Sequence, residues 1–328
     1  MKKSLWMLGL AVAAMTSCTN DEVVEVNQST QKAIGFETFV NKGTRVAVTN
    51  EVTKENLKRF YVYGYNDKPA IVFDNVSVIK SNGVWSMETN NEKDWETESY
   101  HFAAYADGFG ETSHVASTLT TSFTEATLNF TGYEVNQTQA NQTDLIAAFA
   151  ERDNTNSFIT TKVDLSFRHL LSKVSFTFEN TNTSNLSMEI SNVKLKVKNS
   201  ADCECTSGAT TWKNHASNLT EYILDAPTGK IAKGAKSEVS AEYFVIPTQT
   251  GATISFTVTY YDANDQQVET YSKDLSLFTD SNSQSVSWTP SYIYKYNVQL
   301  PASPKKIEFN VSSVGTWEEA NVTLDGSL

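Results

Sequence analysis

Beyond residue 32, apolar and polar positions alternate with a period of two along most of the chain. This period is typical of β-strands with one buried face, whereas an amphipathic helix repeats about every 3.6 residues. The runs are short, rich in β-branched and aromatic residues, and separated by clusters of Asn, Asp, Gly and Ser. Strands are predicted within 34–40, 60–65, 76–79, 100–105, 162–167, 174–178, 193–198, 253–260 and 292–298. The pattern therefore predicts an all-β protein built of β-sandwiches.

Helical periodicity is nearly absent from the chain. The best candidate for a helix is the segment 143–151 (TDLIAAFAE), where Asp144 lies near the start. A short, mostly apolar run of this kind fits a buried strand equally well, because periodicity alone does not separate the two. Both interpretations stay open at this point.

A polar stretch at residues 151–161 (ERDNTNSFITT) has no apolar period, so we expect a domain boundary there. The predicted division is an N-terminal β-sandwich over residues 33–155 and a C-terminal β-sandwich over residues 156–328. Each part has a length that suits a single domain.

Residues 1–17 have a basic start and the apolar segment 5–15, which is shorter than the roughly 20 residues of a membrane-spanning helix. The end of this region, 15–18 (MTSC), looks like a bacterial lipobox, in which the signal peptide is removed and Cys18 is lipidated. The alternative is an ordinary signal peptide followed by an incidental cysteine. Residues 18–32 are polar and acidic and predict a tether, and acidic residues directly after the cysteine resemble the surface-export signal of Bacteroidetes lipoproteins. We therefore expect a lipid-anchored protein that does not cross the membrane.

The amino-acid composition and net charge indicate whether the protein is suited to bind nucleic acid. The chain has 328 residues, of which 40% are hydrophobic, and this proportion is sufficient for globular cores. It carries 38 Asp and Glu against 26 Lys and Arg, a formal net charge of −12. Because an acidic surface repels the phosphate backbone, the composition predicts that the protein does not bind nucleic acid.

No sequence motif for catalysis, for nucleotide binding or for a zinc site occurs in the chain. The four histidines are scattered, and each is better explained as a packed or solvent-facing residue: His101, His114, His169 and His215. A pair of carboxylates for glycoside hydrolysis depends on spatial separation, and the sequence singles out no such pair. The sequence therefore predicts a protein without enzymatic activity, cofactor or metal.

Cys203 and Cys205 are separated by one residue, in a chain with only one other cysteine, Cys18. One interpretation is a local loop disulfide formed in an oxidising compartment, although a bridge between such close positions is strained. The other interpretation is a redox or metal site, which lacks a neighbouring histidine or third thiol in the sequence. We expect the pair to be structurally dispensable, and a large loss of stability on replacing both by Ser would indicate a bridge or a metal.

Several stretches, in this order along the chain, resemble the fimbrillin family of pilus subunits and fimbria-like lipoproteins. After the lipobox they are 34–37 (IGFE), 42–47 (KGTRVA), 57–64 (LKRFYVYG), 100–105 (YHFAAY), 144–148 (DLIAA), 163–174 (VDLSFRHLLSKV), 244–249 (FVIPTQ) and 311–317 (VSSVGTW). The resemblance covers nearly the whole chain. It implies two transthyretin-like, Greek-key β-sandwich domains and a role in assembling or capping a surface fimbria.

The resemblance also implies a maturation step. In the family a trypsin-like protease cuts after an arginine in the loop that follows the first strand, and a strand from a neighbouring subunit fills the groove that is left. The matching arginine is Arg45, so the mature chain would begin at Val46. The strand removed would be 33–40, and alternation assigns Ile34 and Phe36 to its inward face, with Val40 as a further candidate.

The donor strand has a candidate near the C-terminus. Ile307, Phe309 and Val311 alternate with polar residues, and Val322 and Leu324 follow. The same segment also fits the last strand of the second sandwich. In that arrangement the chain would not donate a strand and would be an anchor or an accessory subunit.

These features lead to one main functional hypothesis. The protein is a fimbrial structural subunit or a fimbria-associated surface lipoprotein that supports adhesion. Its expected partners are other fimbrial subunits, the outer membrane through the lipid anchor, and a receptor on a host or bacterial surface. The expected location is the cell surface, and the fimbrium after maturation.

The alternative hypothesis is a surface glycan-binding lipoprotein, because Trp85, Trp95, Trp212 and many tyrosines could stack on sugars. Most of these aromatic residues lie in strand-like runs and are more simply explained as core. At least two tryptophans exposed on one flat face would favour glycan binding. A sheet edge that carries a removable first strand would favour fimbrial assembly.

Overall fold

A computed structural model describes residues 33–40, 51–68, 70–88, 91–110, 117–121, 126–155, 162–238, 240–278, 286–301 and 308–316. Within these residues the regular structure is β apart from one turn of 3₁₀ helix at Gln139–Asn141. The predicted all-β fold is therefore confirmed. Among the described residues, no helix has the length and apolar character needed to cross a bilayer.

The strands are short and follow one another closely along the chain. Their bounds in the first half are β1 (Phe36–Val40), β2 (Arg59–Asn66), β3 (Ile71–Ser81), β4 (Val84–Met87), β5 (Ser99–Asp107), β6 (Ser117–Thr121), β7 (Ala126–Glu134) and β8 (Leu145–Asp153). Those in the second half are β9 (Val163–His169), β10 (Ser172–Asn180), β11 (Ser187–Val197), β12 (Ser200–Cys205), β13 (Thr210–Lys213), β14 (Thr220–Ile223), β15 (Tyr243–Val245), β16 (Thr253–Tyr261), β17 (Gln267–Ser276), β18 (Tyr292–Leu300) and β19 (Glu308–Thr316).

The largest sheet has seven strands in the order β1-β9-β8-β5-β2-β3-β4. All neighbours in it are antiparallel except β1 and β9, which run parallel at one edge. A four-stranded sheet, β13-β12-β7-β6, packs against one face, where the rings of Tyr105 and Phe130 lie 5.3 Å apart. The opposite face packs around a second core that contains Phe60, Phe102 and Trp95.

The sequence pattern left the segment 143–151 open between a helix and a strand. In the structure, most of it lies in strand β8, in the interior of this sheet. Leu145 and Ala147 belong to the core on one face, whereas Ile146 and Ala148 belong to the core on the other. Because both faces are covered here, the strand is apolar at consecutive positions and shows no alternation. The apolar run therefore reflects burial on two sides.

The last two sheets form a sandwich. Their strand orders are β15-β10-β18-β19 and β14-β11-β16-β17. Phe178 of β10 contacts Phe256 of β16, with ring centroids 5.1 Å apart, and the Tyr260 hydroxyl donates a hydrogen bond to the carbonyl oxygen of Leu300 at 3.3 Å. Burial alternates at every residue of β16, as the sequence pattern predicts. The core between these sheets is continuous with the core that covers Tyr105.

Strand pairing crosses the position that the polar stretch suggests as a boundary. β9 follows residue 155 but pairs with β1 and β8, and β12 pairs with β7. Backbone hydrogen bonds therefore join the chain on the two sides of residue 155. The division into domains 33–155 and 156–328 stays a prediction.

Candidate functional site

The first strand occupies the edge of the seven-stranded sheet. β1 pairs in parallel with β9, from Phe36 opposite Val163 to Val40 opposite Phe167, and it is the terminal strand of the sheet. Two parallel strands need a long connection between them, and here the chain between β1 and β9 provides it. Within the sheet, β1 is paired along one side only, and the residues before it are held separately by a hydrogen bond from the Ile34 N–H to the carbonyl oxygen of Lys93 at 2.7 Å. Removing the first strand would leave the neighbouring strand, β9, at the edge.

One face of this segment is buried and the other is exposed. Ile34, Phe36, Thr38 and Val40 are 3%, 2%, 3% and 7% exposed. Phe39, which points the other way, is 44% exposed. Side chains alternate between the two faces of a strand, so the inward residues of β1 together with Ile34 cover one side of the core.

The centre of the contact is the ring of Phe36. It meets the rings of Phe60, Phe102 and Phe73 at centroid distances of 5.8, 5.7 and 6.1 Å, in edge-to-face geometry. Each large apolar side chain buried in this way contributes about 1.5–3 kcal/mol. Thr38 is different, because its hydroxyl oxygen is buried without a hydrogen-bond partner. A buried polar group without a partner costs about 1–3 kcal/mol, so the first strand does not fill the groove ideally.

The chain that follows β1 is fixed to the core at residue 51. Nζ of Lys173 lies 2.6 Å from Oε2 of Glu51 and 3.5 Å from Oε2 of Glu242, and the lysine side chain is fully buried. The backbone N–H of Val52 donates to Oδ2 of Asp144 at 3.1 Å. Arg45 and Val46 lie between β1 and this attachment point, outside the described residues. The attachment does not involve β1.

The same carboxylate has a second buried partner. Oδ2 of Asp144 lies 2.7 Å from Nδ1 of His169, and both side chains are almost completely buried. The sequence interpretation of His169 as a packed residue agrees with this position but misses the carboxylate of Asp144 beside it. A signal was present, since Asp144 and Lys173 are charged residues directly before apolar positions, but their partners are distant in sequence. Only the fold brings them together.

The C-terminal candidate for a donor strand pairs within its own chain. β19 is antiparallel to β18, with Phe309 opposite Val298 and Val311 opposite Tyr296, and it is the terminal strand of its sheet. This is the second arrangement that the sequence left open. Ile307 lies outside the described residues. Val322, Leu324 and the lipidation candidate Cys18 lie outside them as well.

The two cysteines lie on a strand, and neither is in a disulfide. The interpretation of the pair as a loop disulfide is therefore wrong. Cys203 and Cys205 are free thiols on β12 and are 1% and 0% exposed. Burial raises the pKa of both thiols, which disfavours the reactive thiolate. Nη2 of Arg168 lies 3.2 Å from Sγ of Cys205. The expectation that the pair is dispensable loses its basis, because both side chains belong to the core.

The described tryptophans do not form an exposed aromatic face. Trp95 and Trp288 are fully buried, Trp212 is 4% exposed, and Trp85 is half-buried against Phe60. Within the described ranges, no group of three or more His, Cys, Asp and Glu residues is placed to hold a metal ion. In this part of the chain, the most distinctive feature is therefore the edge groove that β1 fills.

A comparison with protein families matches the fimbrillin-like family over residues 44–317. This match covers most of the chain. The chain belongs to the fimbrillin-like family. The matched part begins four residues after the end of β1 and extends to the residue after β19, so it includes the rest of the seven-stranded sheet and the other three sheets.

Solved structures share the fold of this fimbrillin-like chain at low sequence identity. A fimbrial protein from Bacteroides vulgatus superposes with a TM-score of 0.55 at 14% identity, covering 87% of this chain and 99% of the other. A candidate cell adhesion protein from Bacteroides ovatus superposes with a TM-score of 0.52 at 16% identity, covering 89% and 99%. At these identities the likeness shows the fold alone. None of the curated proteins compared matches the chain.

Proposed function

We propose that this fimbrillin-like protein is a fimbrial structural subunit or a fimbria-associated surface lipoprotein, without enzymatic activity, that supports adhesion. It becomes competent to assemble when β1 is removed and a donor strand takes its place. The observation that carries the proposal is the position of β1, which is held at a sheet edge by one neighbour while its inward side chains close an aromatic core. Membership of the fimbrillin-like family supports the same role.

Cleavage after Arg45 would separate the strand from the rest of the chain. The product begins at Val46, five residues before Glu51, where the chain is bound to Lys173. Because the attachment at residues 51 and 52 does not depend on β1, the start of the mature chain stays fixed when the strand leaves. The groove is then bordered by β9 and lined by Phe60 and Phe102.

The unpaired hydroxyl of Thr38 gives a donor strand an advantage over β1. A donor with an apolar residue at this position fills the groove without burying an unsatisfied polar group. The segment 307–311 (IEFNV) repeats the spacing of 34–38 (IGFET), with Val311 at the place of Thr38. A C-terminal segment of this composition matches the groove, and a second copy of the chain is one source of it.

The pairing of β19 with β18 supports an anchor or accessory role for this chain. While β19 remains in its own sheet, the subunit accepts a strand but does not donate one, and it acts as an anchor or accessory subunit. Lipidation of Cys18 would hold such a subunit at the outer membrane, on the cell surface. Its partners are then other fimbrial subunits, and a host or bacterial receptor is the target of the fimbria.

Limited proteolysis with an arginine-specific protease tests the proposal, because trypsin would also cut after Lys42 and release β1 there. We expect the intact precursor to be monomeric and the product that begins at Val46 to bind a synthetic peptide of residues 305–328, as followed by size-exclusion chromatography and N-terminal sequencing. Arg45→Ala should keep the protein monomeric and unable to bind the peptide. Lys42→Ala, which removes another positive charge three residues earlier in the sequence, is the matched control and should behave like the wild type.

A stable monomer that begins at Val46 and binds no C-terminal peptide, either its own or that of another fimbrial subunit, would refute strand exchange. Exchange in the Arg45→Ala variant would show that cleavage at this position is not the trigger.

A further inference from the structure

A cleft lies on the face of the seven-stranded sheet opposite to the β1 groove. Tyr65 pairs with His101, and His101 pairs with Glu151, so these residues form one row across β2, β5 and β8. Their side chains point away from the core that contains Phe102, because neighbouring positions on a strand face opposite sides. Tyr105, further along β5, is covered by the four-stranded sheet, whereas His101 is not fully covered.

The cleft has the size of a small-molecule site. Its volume is about 400 Å³, and the residues that line it include Tyr65, His101, Phe149, Glu151 and Ser207. Sites for small ligands usually fall between about 300 and 1,000 Å³ and combine aromatic walls with a few polar groups. We call this feature the His101 cleft.

Two aromatic surfaces form its apolar part. The rings of Tyr65 and His101 are stacked, with centroids 5.0 Å apart and planes 15° apart. Phe149 lies under the guanidinium group of Arg168, 5.7 Å from the ring centroid. Nη1 of Arg168 also donates to the carbonyl oxygen of Ser207 at 2.6 Å, which holds one wall of the cleft in place.

Glu151 is the carboxylate that lines the cleft, and Asp67 lies next to the lining residue His101, so that one carboxylate stands beside each nitrogen of the imidazole. Nε2 of His101 lies 3.0 Å from Oδ1 of Asp67, and Nδ1 lies 3.3 Å from Oε1 of Glu151. The carboxylate side chains are 56% and 77% exposed, so a ligand can reach them. A carboxylate has two acceptor oxygens, and the oxygen that does not face the imidazole can accept a hydrogen bond from a hydroxyl group.

We propose that the His101 cleft binds a neutral sugar ring of a surface glycan. The apolar face of a pyranose packs on the aromatic rings, while adjacent hydroxyl groups donate to Asp67 and Glu151. The negative charges of the two carboxylates repel an anionic ligand. The positive charge of the Arg168 guanidinium beside Phe149 repels a cationic ligand. The cleft and the β1 groove lie on opposite faces of the sheet, so sugar binding does not require strand exchange.

The test is titration of the full chain with the methyl glycosides of the common hexoses and N-acetylhexosamines, by saturation-transfer NMR and calorimetry. We expect at least one glycoside to bind with a Kd below about 10 mM. The double variant Asp67→Ala/Glu151→Ala should weaken this binding about tenfold or more, because the main acceptors are lost. Both side chains are exposed, so the melting temperature should change little.

Phe149→Ala tests the aromatic wall separately and should also weaken binding. Glu221→Ala, which removes a carboxylate that is 40% exposed on the distant strand β14, is the matched control and should bind like the wild type. Arg45→Ala should also bind normally, so a failure of sugar binding is distinguishable from a failure of strand exchange.

The proposal is overturned if no glycoside binds at about 10 mM, the weak limit for one sugar ring in such a cleft. It is also overturned if binding survives in both the double variant and Phe149→Ala. If trilysine binds the cleft and the glycosides do not, the ligand is a basic peptide and the sugar assignment is wrong.

Discussion

Asp107, at the end of β5, shows how burial changes a single carboxyl group. Its Oδ1 accepts hydrogen bonds from Thr143 Oγ1 at 2.6 Å and from the Tyr133 hydroxyl at 3.4 Å. Burial nevertheless raises the pKa of Asp107, and the neighbouring carboxylate of Asp144 raises it further. The two hydrogen bonds offset only part of this effect, so the folded state favours the protonated form.

Asp107→Asn should therefore increase stability at neutral pH relative to the wild type. A carboxyl group whose pKa is raised by folding stabilises the folded state below its unfolded pKa, and this contribution is lost as the pH rises through the folded pKa. Asparagine keeps an oxygen acceptor for Thr143 but carries no charge. The gain in the free energy of unfolding should appear between acid and neutral pH, and urea denaturation at several pH values measures it.

Asp202→Asn is the control of opposite sign. Hydrogen bonds from the Asn214 side chain and the Gly132 N–H lower the pKa of Asp202. Its contribution to stability is present above the unfolded pKa and is lost as the pH falls through the folded pKa. This variant should lose stability at neutral pH. The same pH dependence in both variants would contradict the assigned causes.

At the scale of the element, β1 combines strong side-chain burial with weak attachment. One parallel neighbour holds its backbone, whereas the ring of Phe36 is surrounded by three other phenylalanine rings. β1 is therefore held in place more by the packing of its side chains than by its backbone hydrogen bonds to β9. This is the arrangement expected of a segment that another strand of similar pattern can replace.

Phe36→Ala should reduce the free energy of unfolding of the precursor by about 3–5 kcal/mol, because it leaves a cavity between the other rings. Chemical denaturation measures this loss. Phe39→Ala is the matched control on the same strand. Its side chain is 44% exposed and contacts mainly the Lys54 ammonium, 4.7 Å from the ring centroid, so the loss should stay below about 1 kcal/mol. Equal losses would show that β1 does not pack as described.

At the scale of the whole molecule, the contacts of β1 are confined to one of the two cores. Ile34, Phe36 and Val40 belong to the core that also contains Phe60 and Phe102. The other core extends from the four-stranded sheet that covers Tyr105 into the final sandwich. Loss of the first strand should therefore be a local event.

Hydrogen exchange before and after cleavage at Arg45, with the released strand separated, tests this. We expect amide protection to fall in β9, the partner of β1, and in β2, which carries Phe60. Protection in β16 and β18 should stay unchanged, because their side chains belong to the other core. Addition of a donor peptide should restore protection in β9. A uniform loss across all four strands would mean that the cores unfold together.

The sequence was informative where local pattern decides the outcome. The alternation in 34–40 and 253–260 predicted strands with one buried face, and β1 and β16 have that burial. The same pattern did not identify β8, because a strand covered on both faces has no alternation. The sequence also left open whether Cys203 and Cys205 form a loop disulfide, whereas in the structure each is buried on β12.

By itself, the sequence of this protein determined the all-β class and the inward face of the first strand, because both follow from residues close together along the chain. It also determined membership of the fimbrillin-like family. Only the tertiary structure decided that β1 pairs with β9, that Glu51 binds Lys173, and that Tyr65, His101 and Glu151 share one cleft. These contacts join residues that are far apart in sequence, and the physical reason is that strand pairing is non-local, so a pattern of neighbouring residues does not specify which strands become partners.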